Sequence, residues 1–214
     1  MNRYLDPSFI QYIFRYKHIA CLFTSFFLLF SQNVVSAPLG LPKNTAKIGY
    51  GIGGAHISVD DPDGDTQGKW DVQPLTLVYS DWLVSGYRHW SEVYFYQTSL
   101  DPTSTSVGQD VERVGLRFSL QKNIRLNKSF APWIGGGLDV SRVDYSVRHT
   151  KDSDGFLIES FDDRNENAVS LILNVMNEWT IQSDWSIAAK LEQSVAIQSD
   201  ISDFLATVNL LFRY

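Results

Sequence analysis

Apolar side chains recur at every second position in one segment of this chain after another. In the clearest segment, four of them alternate with polar or small residues: Val114, Leu116, Phe118 and Leu120. A helix would scatter these four around its axis, whereas a β-strand places them on one face. The same period of two predicts eight strands, near residues 46–59, 69–79, 85–97, 111–122, 130–148, 165–178, 185–195 and 204–214. No helical segment separates them, so the sequence predicts an all-β, antiparallel meander.

The connections between these strands alternate in length and chemistry. Those near 80–84, 123–129 and 179–184 are short, whereas those near 60–68, 98–110, 149–164 and 196–203 are mostly longer and rich in Asp, Ser, Thr and Gly. Short turns at one end and long polar loops at the other are typical of outer-membrane barrels. The prediction is an eight-stranded antiparallel up-and-down transmembrane β-barrel, and a water-soluble β-sandwich is the alternative fold.

Aromatic residues cluster in or near the short turns and at the end of the chain. Six of them form a candidate girdle: Trp82, Trp133, Trp179, Trp185, Phe212 and Tyr214. Amphipathic rings prefer the headgroup level of a bilayer, and barrels carry such girdles at both interfaces. In a water-soluble sandwich we would expect most Trp in the middle of strands.

The N-terminus has the pattern of a secretory leader. Basic residues precede an apolar and small run from Ile19 to Phe30, which is too short for a membrane helix of about 20 residues. Val35 and Ala37 occupy the small-residue positions that a signal peptidase recognises. We expect a cleaved leader at 1–37, Sec-type export, and a barrel domain at 38–214. Cys21 lies at the front of the run, whereas a lipoprotein cysteine would follow it.

Composition and charge exclude several classes of protein. The chain has 214 residues and a net charge of −6, and after the leader 15 basic and 23 acidic residues leave a net charge of −8. Such an acidic chain is not expected to bind nucleic acid. One cysteine makes no internal disulfide, and no zinc-binding spacing is present. The sequence predicts no cofactor and no metal.

Together these features resemble a family. The leader, the eight alternating strands, the segment PWIGGGLDV from Pro132 to Val140 and the terminal Phe212 and Tyr214 are similar to small bacterial outer-membrane β-barrels, the opacity-like or porin-like surface proteins. Asn209 stands where such proteins often have Gly. The resemblance implies a monomer in the outer membrane of a Gram-negative bacterium, in contact with lipid and lipopolysaccharide. It also implies that the barrel-insertion machinery recognises the C-terminal strand, and that the function is structural and surface-facing.

The inward faces of the predicted strands carry charges that a narrow lumen must pair. The candidates are Arg88, Glu92, Arg113, Arg117, Asp139, Glu178, Lys190 and Glu192. Antiparallel pairing about a turn centred near residue 126 places Arg113 opposite Asp139, and pairing about residue 104 leaves Glu92 diagonal to Arg113. Because eight strands enclose little more than side chains, we expect this cluster to plug the lumen. A narrow channel for small solutes is an alternative.

Two further patterns are interpreted as structural rather than as ligand sites. Gly49, Gly51 and Gly54 spell G-x-G-x-x-G, but no helical pattern follows, so a dinucleotide site is not expected. Acidic residues crowd two loops: Asp60, Asp61, Asp63 and Asp65, then Asp152, Asp154, Glu159, Asp162 and Asp163. An EF-hand fails at Thr66 and Val72. Solvated acidic outer loops are the favoured interpretation, and weak divalent-cation contact at the lipopolysaccharide surface is the alternative.

An enzymatic alternative rests on His56 and Ser58 in the first strand. Some small barrels act on lipid A through a His and a Ser on a lipid-facing strand, which makes a deacylase-like enzyme the alternative function. A nucleophile and its base also need an orienting acid, for which Asp60 or Glu92 is the candidate. Val59 follows Ser58, unlike the deacylase motif, so a non-enzymatic barrel is the prediction.

Overall fold

The computed structural model describes residues 45–124 and 131–214, and the predicted leader at 1–37 lies outside them. These residues form nine strands: β1 (Lys47–Val59), β2 (Gln67–Val84), β3 (Tyr87–Leu100), β4 (Gly108–Asn123), β5 (Trp133–Lys151), β6 (Leu157–Ser160), β7 (Arg164–Thr180), β8 (Trp185–Gln198) and β9 (Ile201–Arg213). In these two ranges, no helix is long and apolar enough to cross a membrane.

Eight of the strands close into an antiparallel barrel. Each long strand pairs with its neighbours in the chain, β9 returns to pair with β1, and β4 pairs with β5 to complete the wall. The four-residue β6 pairs with β5 alone and extends the β5–β7 hairpin beyond the barrel. The prediction of an eight-stranded up-and-down barrel is confirmed.

The two faces of each strand differ as the alternating pattern predicts. On β4 the apolar side chains from Val114 to Leu120 are between 46% and 61% exposed, while Arg113 and Arg117 on the opposite face are each at most 2% exposed. A water-soluble sheet would show the reverse, because burial of apolar surface is what stabilises it. The exposed apolar rows form a belt around the barrel, and this arrangement excludes the β-sandwich alternative.

The connections differ in detail from the prediction. The end of the barrel that carries the short turns is called the inner end below, and the opposite end the outer end. Residues 80–84 belong to β2, and the first inner turn is Ser85–Gly86, where Gly86 has a φ of +79° that favours glycine. The predicted inner turn at 123–129 falls largely on 125–130, outside the described residues. At the outer end, the β8–β9 connection is only Ser199–Asp200, because β9 begins earlier than its apolar pattern suggested.

The interior is stacked in layers along the barrel axis. The outer half holds an apolar cluster that includes Ile57, Tyr96, Val111 and Leu205, and the inner end holds a second cluster around Trp90, Trp133 and Met176. Charged side chains fill the level between these two apolar clusters, and further charged side chains lie within the cluster at the inner end. The lumen is therefore a packed and partly ionic core.

Candidate functional site

Two arginines and two aspartates form the centre of the interior. Arg113 and Arg117 on β4 both contact Asp139 on β5, at 3.2 Å from Nη2 and 2.8 Å from Nε respectively. Both also contact Asp203 on β9, at 2.9 and 2.8 Å. All four side chains are at most 1% exposed. Two guanidiniums sharing two carboxylates tie together walls that are distant in sequence, because β4, β5 and β9 lie around one lumen.

Tyr94 lies between the two arginines. Its ring centroid is 3.8 Å from the Cζ atom of Arg117 and 5.7 Å from that of Arg113, and its hydroxyl donates to the Asp139 carboxylate at 2.8 Å. Gly115 makes room for this ring, since a Cβ there would lie 2.7 Å from the Tyr94 hydroxyl. A small residue between two arginines thus lets an aromatic ring cover both cations.

A lysine and two glutamates lie one level further in. Lys190 Nζ donates to both oxygens of Glu92 at 2.6 Å and to Glu192 at 3.2 Å. Trp90 Nε1 also donates to Glu92, at 2.6 Å, and Arg117 lies 3.4 Å from Glu192. The two glutamates are thereby linked to the central arginine pair.

A second ion group occupies the inner end of the lumen. Arg88 donates to Glu178 at 2.6 Å and to Gln121 at 2.7 Å, and Lys47 contacts the other oxygen of Glu178. The Arg88 guanidinium also lies 4.0 Å from the Trp133 ring. This group therefore fills the inner end of the lumen.

The charges of these two ion groups balance. Within the groups, five cations contact five carboxylates: Lys47, Arg88, Arg113, Arg117 and Lys190 with Glu92, Asp139, Glu178, Glu192 and Asp203. An uncompensated charge at such depth costs several kcal/mol, so a matched set is what a narrow lumen requires. The structure brings together all eight lumen residues named from the sequence, and it adds Lys47 and Asp203.

The predicted cross-strand partners are wrong. In the β4–β5 ladder Asp139 pairs with Arg117, and Arg113 pairs with Val143. In the β3–β4 ladder Glu92 pairs directly with Arg117. The inner connection spans 124–132 and is centred near 128 rather than 126, which displaces every pair. Arg113 nevertheless contacts Asp139 through its long side chain, four residues along β5 from its direct partner Val143.

The aromatic girdle is smaller than predicted. Trp179, Trp185, Phe212 and Tyr214 are exposed on the outside of the inner end, with the Trp185 and Phe212 rings 5.1 Å apart. Trp133 is wrongly placed in the girdle, because it is 6% exposed and packs inside. Trp82 is also directed to this inner cluster, where its ring meets that of Trp133 at 5.5 Å.

An ionic cap at the outer mouth went undetected in the sequence. Arg148 Nη2 contacts Asp61 at 2.8 Å and Asp63 at 2.7 Å, and its Nε donates to Gln109 at 3.3 Å. Asp61 is 5% exposed, so it is not one of the solvated loop acids. Arg148 faces inward because Val147 has a φ of +56°, which shifts the alternation by one residue.

A second contact group lies beside this cap, beyond the outward apolar row of β5. The Tyr145 hydroxyl donates to Glu166 at 2.7 Å, and Arg164 stacks 4.1 Å from the Tyr145 ring while it contacts Asp200 at 2.6 Å. Burial, together with the Glu166 carboxylate, raises the pKa of the Tyr145 phenol, which therefore remains a donor. This group ties β5 and β7 to the β8–β9 connection.

The His56–Ser58 pair lies on the outer wall of β1. The His56 ring packs edge-on against Trp70, with centroids 5.3 Å apart. Glu92 is inside the barrel, on the other side of the wall, and Asp60 accepts a hydrogen bond from Thr66 at 2.7 Å. Glu92 is therefore not placed to orient His56 as an acyl-transfer site requires.

Solved structures show the same fold at low sequence identity. Outer membrane protein OprG from Pseudomonas aeruginosa gives a TM-score of 0.53 at 10% identity, covering 80% of this chain and 97% of OprG. Neisserial surface protein A gives 0.52 at 9% identity, with coverages of 79% and 97%. AlkL, solved in lipid bilayers, gives 0.50 at 12% identity, with coverages of 86% and 96%. The chain therefore has the fold of the small eight-stranded outer-membrane β-barrels.

Comparisons of sequence give no match. No protein-family model matches the chain, and no curated protein matches it either. The likeness thus rests on the barrel architecture.

Proposed function

We propose that this protein is a monomeric barrel of a Gram-negative outer membrane, exported through a Sec-type leader and inserted through its C-terminal strand. Its role is structural and surface-facing, with acidic outer loops and no enzymatic activity. The observation that carries the proposal is the packed lumen inside an apolar belt. A wall that faces hydrocarbon and a core closed by paired charges leave the outer loops as the surface available for interactions.

Cysteine labelling tests the location and orientation together. The described residues contain no cysteine, so Ser153→Cys in the β5–β6 loop and Ser183→Cys in the β7–β8 turn introduce matched exposed thiols. A membrane-impermeant maleimide should label Ser153→Cys on intact cells and Ser183→Cys only after the outer membrane is permeabilised. Labelling of both in intact cells, or of neither, would contradict the proposed orientation.

A narrow channel is the second candidate, and planar-bilayer recording distinguishes it. Arg113, Arg117, Asp139 and Asp203 meet across the lumen, so the purified barrel should pass no steady current. Steady single-channel conductance would show that the core opens, and the channel function would then replace the structural one.

The lipid A enzyme is tested separately. Mass spectra of lipid A from cells with and without the gene should be identical, because His56 packs against Trp70 on the outer wall while the candidate acid Glu92 lies inside the barrel. A difference in acyl chains that disappears with His56→Ala would overturn the non-enzymatic assignment.

A further inference from the structure

The hairpin formed by β5 and β6 carries an exposed apolar tip. Phe156, Leu157 and Ile158 are 71%, 62% and 55% exposed, although five acidic residues lie around them between positions 152 and 163. Contiguous apolar side chains in a polar rim are typical of interaction sites. These three residues and the rest of β6 are called the tip strand below.

The tip strand lies too far from the lipid belt to be part of it. The outward row of β5 ends in charge at Arg142, while β6 pairs with His149–Lys151, seven to nine residues further along β5. At about 3.3 Å per residue and a tilt of about 40°, this separation is about 20 Å. Acyl chains do not reach that height, so membrane contact does not explain the exposed rings and aliphatic groups.

One edge of the tip strand has no neighbouring strand among the described residues. In the sheet order β6 is terminal and pairs with β5 alone, and the β7–β8 ladder starts only at Val169 and Gln198. A strand edge presents a row of backbone donors and acceptors that an added extended segment can pair with.

The hairpin is already ordered for such pairing. Asp152 N donates to Phe156 O at 2.9 Å, and the Asp152 carboxylate accepts from the amides of Asp154 and Phe156 at 3.0 and 2.8 Å. Gly155 has a φ of +86°, which suits the tight turn. A preordered edge reduces the entropy cost of binding.

Charge selects the kind of segment that would bind. Residues 152–163 contain five acidic side chains and no Lys or Arg: Asp152, Asp154, Glu159, Asp162 and Asp163. A second copy of this hairpin would bring like charges together, and so would the phosphates of an anionic lipid surface. Basic side chains on the incoming segment would meet complementary charge instead.

We propose that the tip strand binds an extended segment of a partner protein whose apolar and basic residues alternate, and that this segment adds as a strand along β6. Its apolar residues pack beside the exposed apolar side chains of the tip strand, its basic residues meet the surrounding carboxylates, and its backbone extends the sheet. The inference rests on the proposed function, since it needs the hairpin to face the outside of the cell.

Peptide binding to the purified full-length barrel in zwitterionic nanodiscs tests this. The probe is a fluorescein-labelled decapeptide of alternating Lys and Val, measured by anisotropy, with Lys–Gly and Glu–Val decapeptides as controls. We expect the Lys–Val peptide to bind at least about tenfold more tightly than either control. Equal binding of Lys–Gly would reduce the site to unspecific charge attraction and overturn the proposal.

Variants locate the binding. The double change Phe156→Ser and Ile158→Ser should weaken Lys–Val binding at least about tenfold, whereas Ile181→Ser, an exposed apolar residue of the inner turn, should leave it unchanged. Unchanged binding by the double variant would overturn the proposal, as would binding to phosphatidylglycerol vesicles in place of the peptide. Nanodiscs expose both ends of the barrel, so peptide binding does not depend on the orientation of the barrel in the cell. Failure of the peptide to bind would therefore overturn this inference without affecting the orientation that cysteine labelling tests.

Discussion

At the scale of single residues, burial decides how much an arginine contributes to the free energy of unfolding. Arg117 is enclosed and contacts Asp139, Asp203 and Glu192, whereas Arg142 is 61% exposed and contacts Asp144 across the strand surface. Arg117→Ala removes one of the cations that Asp139, Asp203 and Glu192 share and leaves the core with one negative charge in excess, so we expect the free energy of unfolding to fall by about 3–5 kcal/mol. Denaturant unfolding of the barrel in detergent micelles measures it.

Arg142→Ala is the matched control and should leave that free energy unchanged, because an exposed ion pair contributes little. Arg117→Lys keeps the charge but loses the fork that reaches two carboxylates, so it should fall between wild type and Arg117→Ala. Equal stability of Arg117→Ala and wild type would show that the central cluster does not hold the walls together.

Val147 is the one β-branched residue of the described chain in left-handed backbone, with a φ of +56°. Such a conformation costs a side chain about 1–2 kcal/mol, and glycine adopts it freely. We therefore expect Val147→Gly to stabilise the barrel by about 1 kcal/mol, while Val140→Gly, in a regular outward position of β5, should destabilise it. A loss of stability in Val147→Gly similar to that in Val140→Gly would refute the strain.

Several residue placements could be predicted from the sequence and others could not. Trp133 is an even number of residues from Asp139 along β5, so its inward position was predictable. Asp203 was missed because the last strand was predicted to begin at 204, three residues after its observed start at Ile201. The position of Arg148 depends on the backbone of Val147, and a non-glycine residue gives no sequence signal for a positive φ.

At the scale of the elements, the β2–β3 ladder is incomplete. It runs only from Leu75 paired with Phe95 to the inner turn. In the outer half, side chains bridge the strands instead: Lys69 Nζ donates to the Ser99 carbonyl at 2.7 Å, and Thr98 Oγ1 donates to Asp71 at 2.6 Å. This outer seam is the part of the wall with the weakest backbone connection between long strands.

Hydrogen exchange should reveal the seam. Alternate amides of an antiparallel strand point to opposite neighbours, so every second amide in 67–72 and 96–100 should exchange faster than its neighbours. The β4–β5 ladder, paired from Gly108 to Asn123, is the internal control and should be protected throughout. Uniform protection across the seam, measured by NMR in micelles, would show that the two strands pair fully.

The eight strands were predictable because a lipid-facing wall forces a strict period of two. Their register was not, since it depends on the centre of each connection, and an error of two residues in the β4–β5 connection moved Asp139 from Arg117 to Arg113. β6 escaped prediction because four exposed residues carry no alternation of buried and exposed faces.

At the scale of the whole molecule, the barrel has an inverted distribution of polarity. Apolar side chains cover the outer faces, while paired charges and two apolar clusters fill the inside. The alternating pattern alone determines which face is apolar. It does not determine whether the polar side encloses water or protein, which depends on how side chains from opposite walls meet.

Tryptophan quenching tests both properties in one experiment. Trp185 is exposed at the inner rim of the belt, and Trp90 is 1% exposed within the core. In single-tryptophan variants reconstituted in vesicles, brominated lipid should quench Trp185 strongly and Trp90 weakly, because only Trp185 contacts lipid. Water-soluble acrylamide should also leave Trp90 unquenched, since the ion clusters exclude water from its level. Quenching of Trp90 by acrylamide would show an open lumen, and quenching by brominated lipid would reverse the assignment of the two faces.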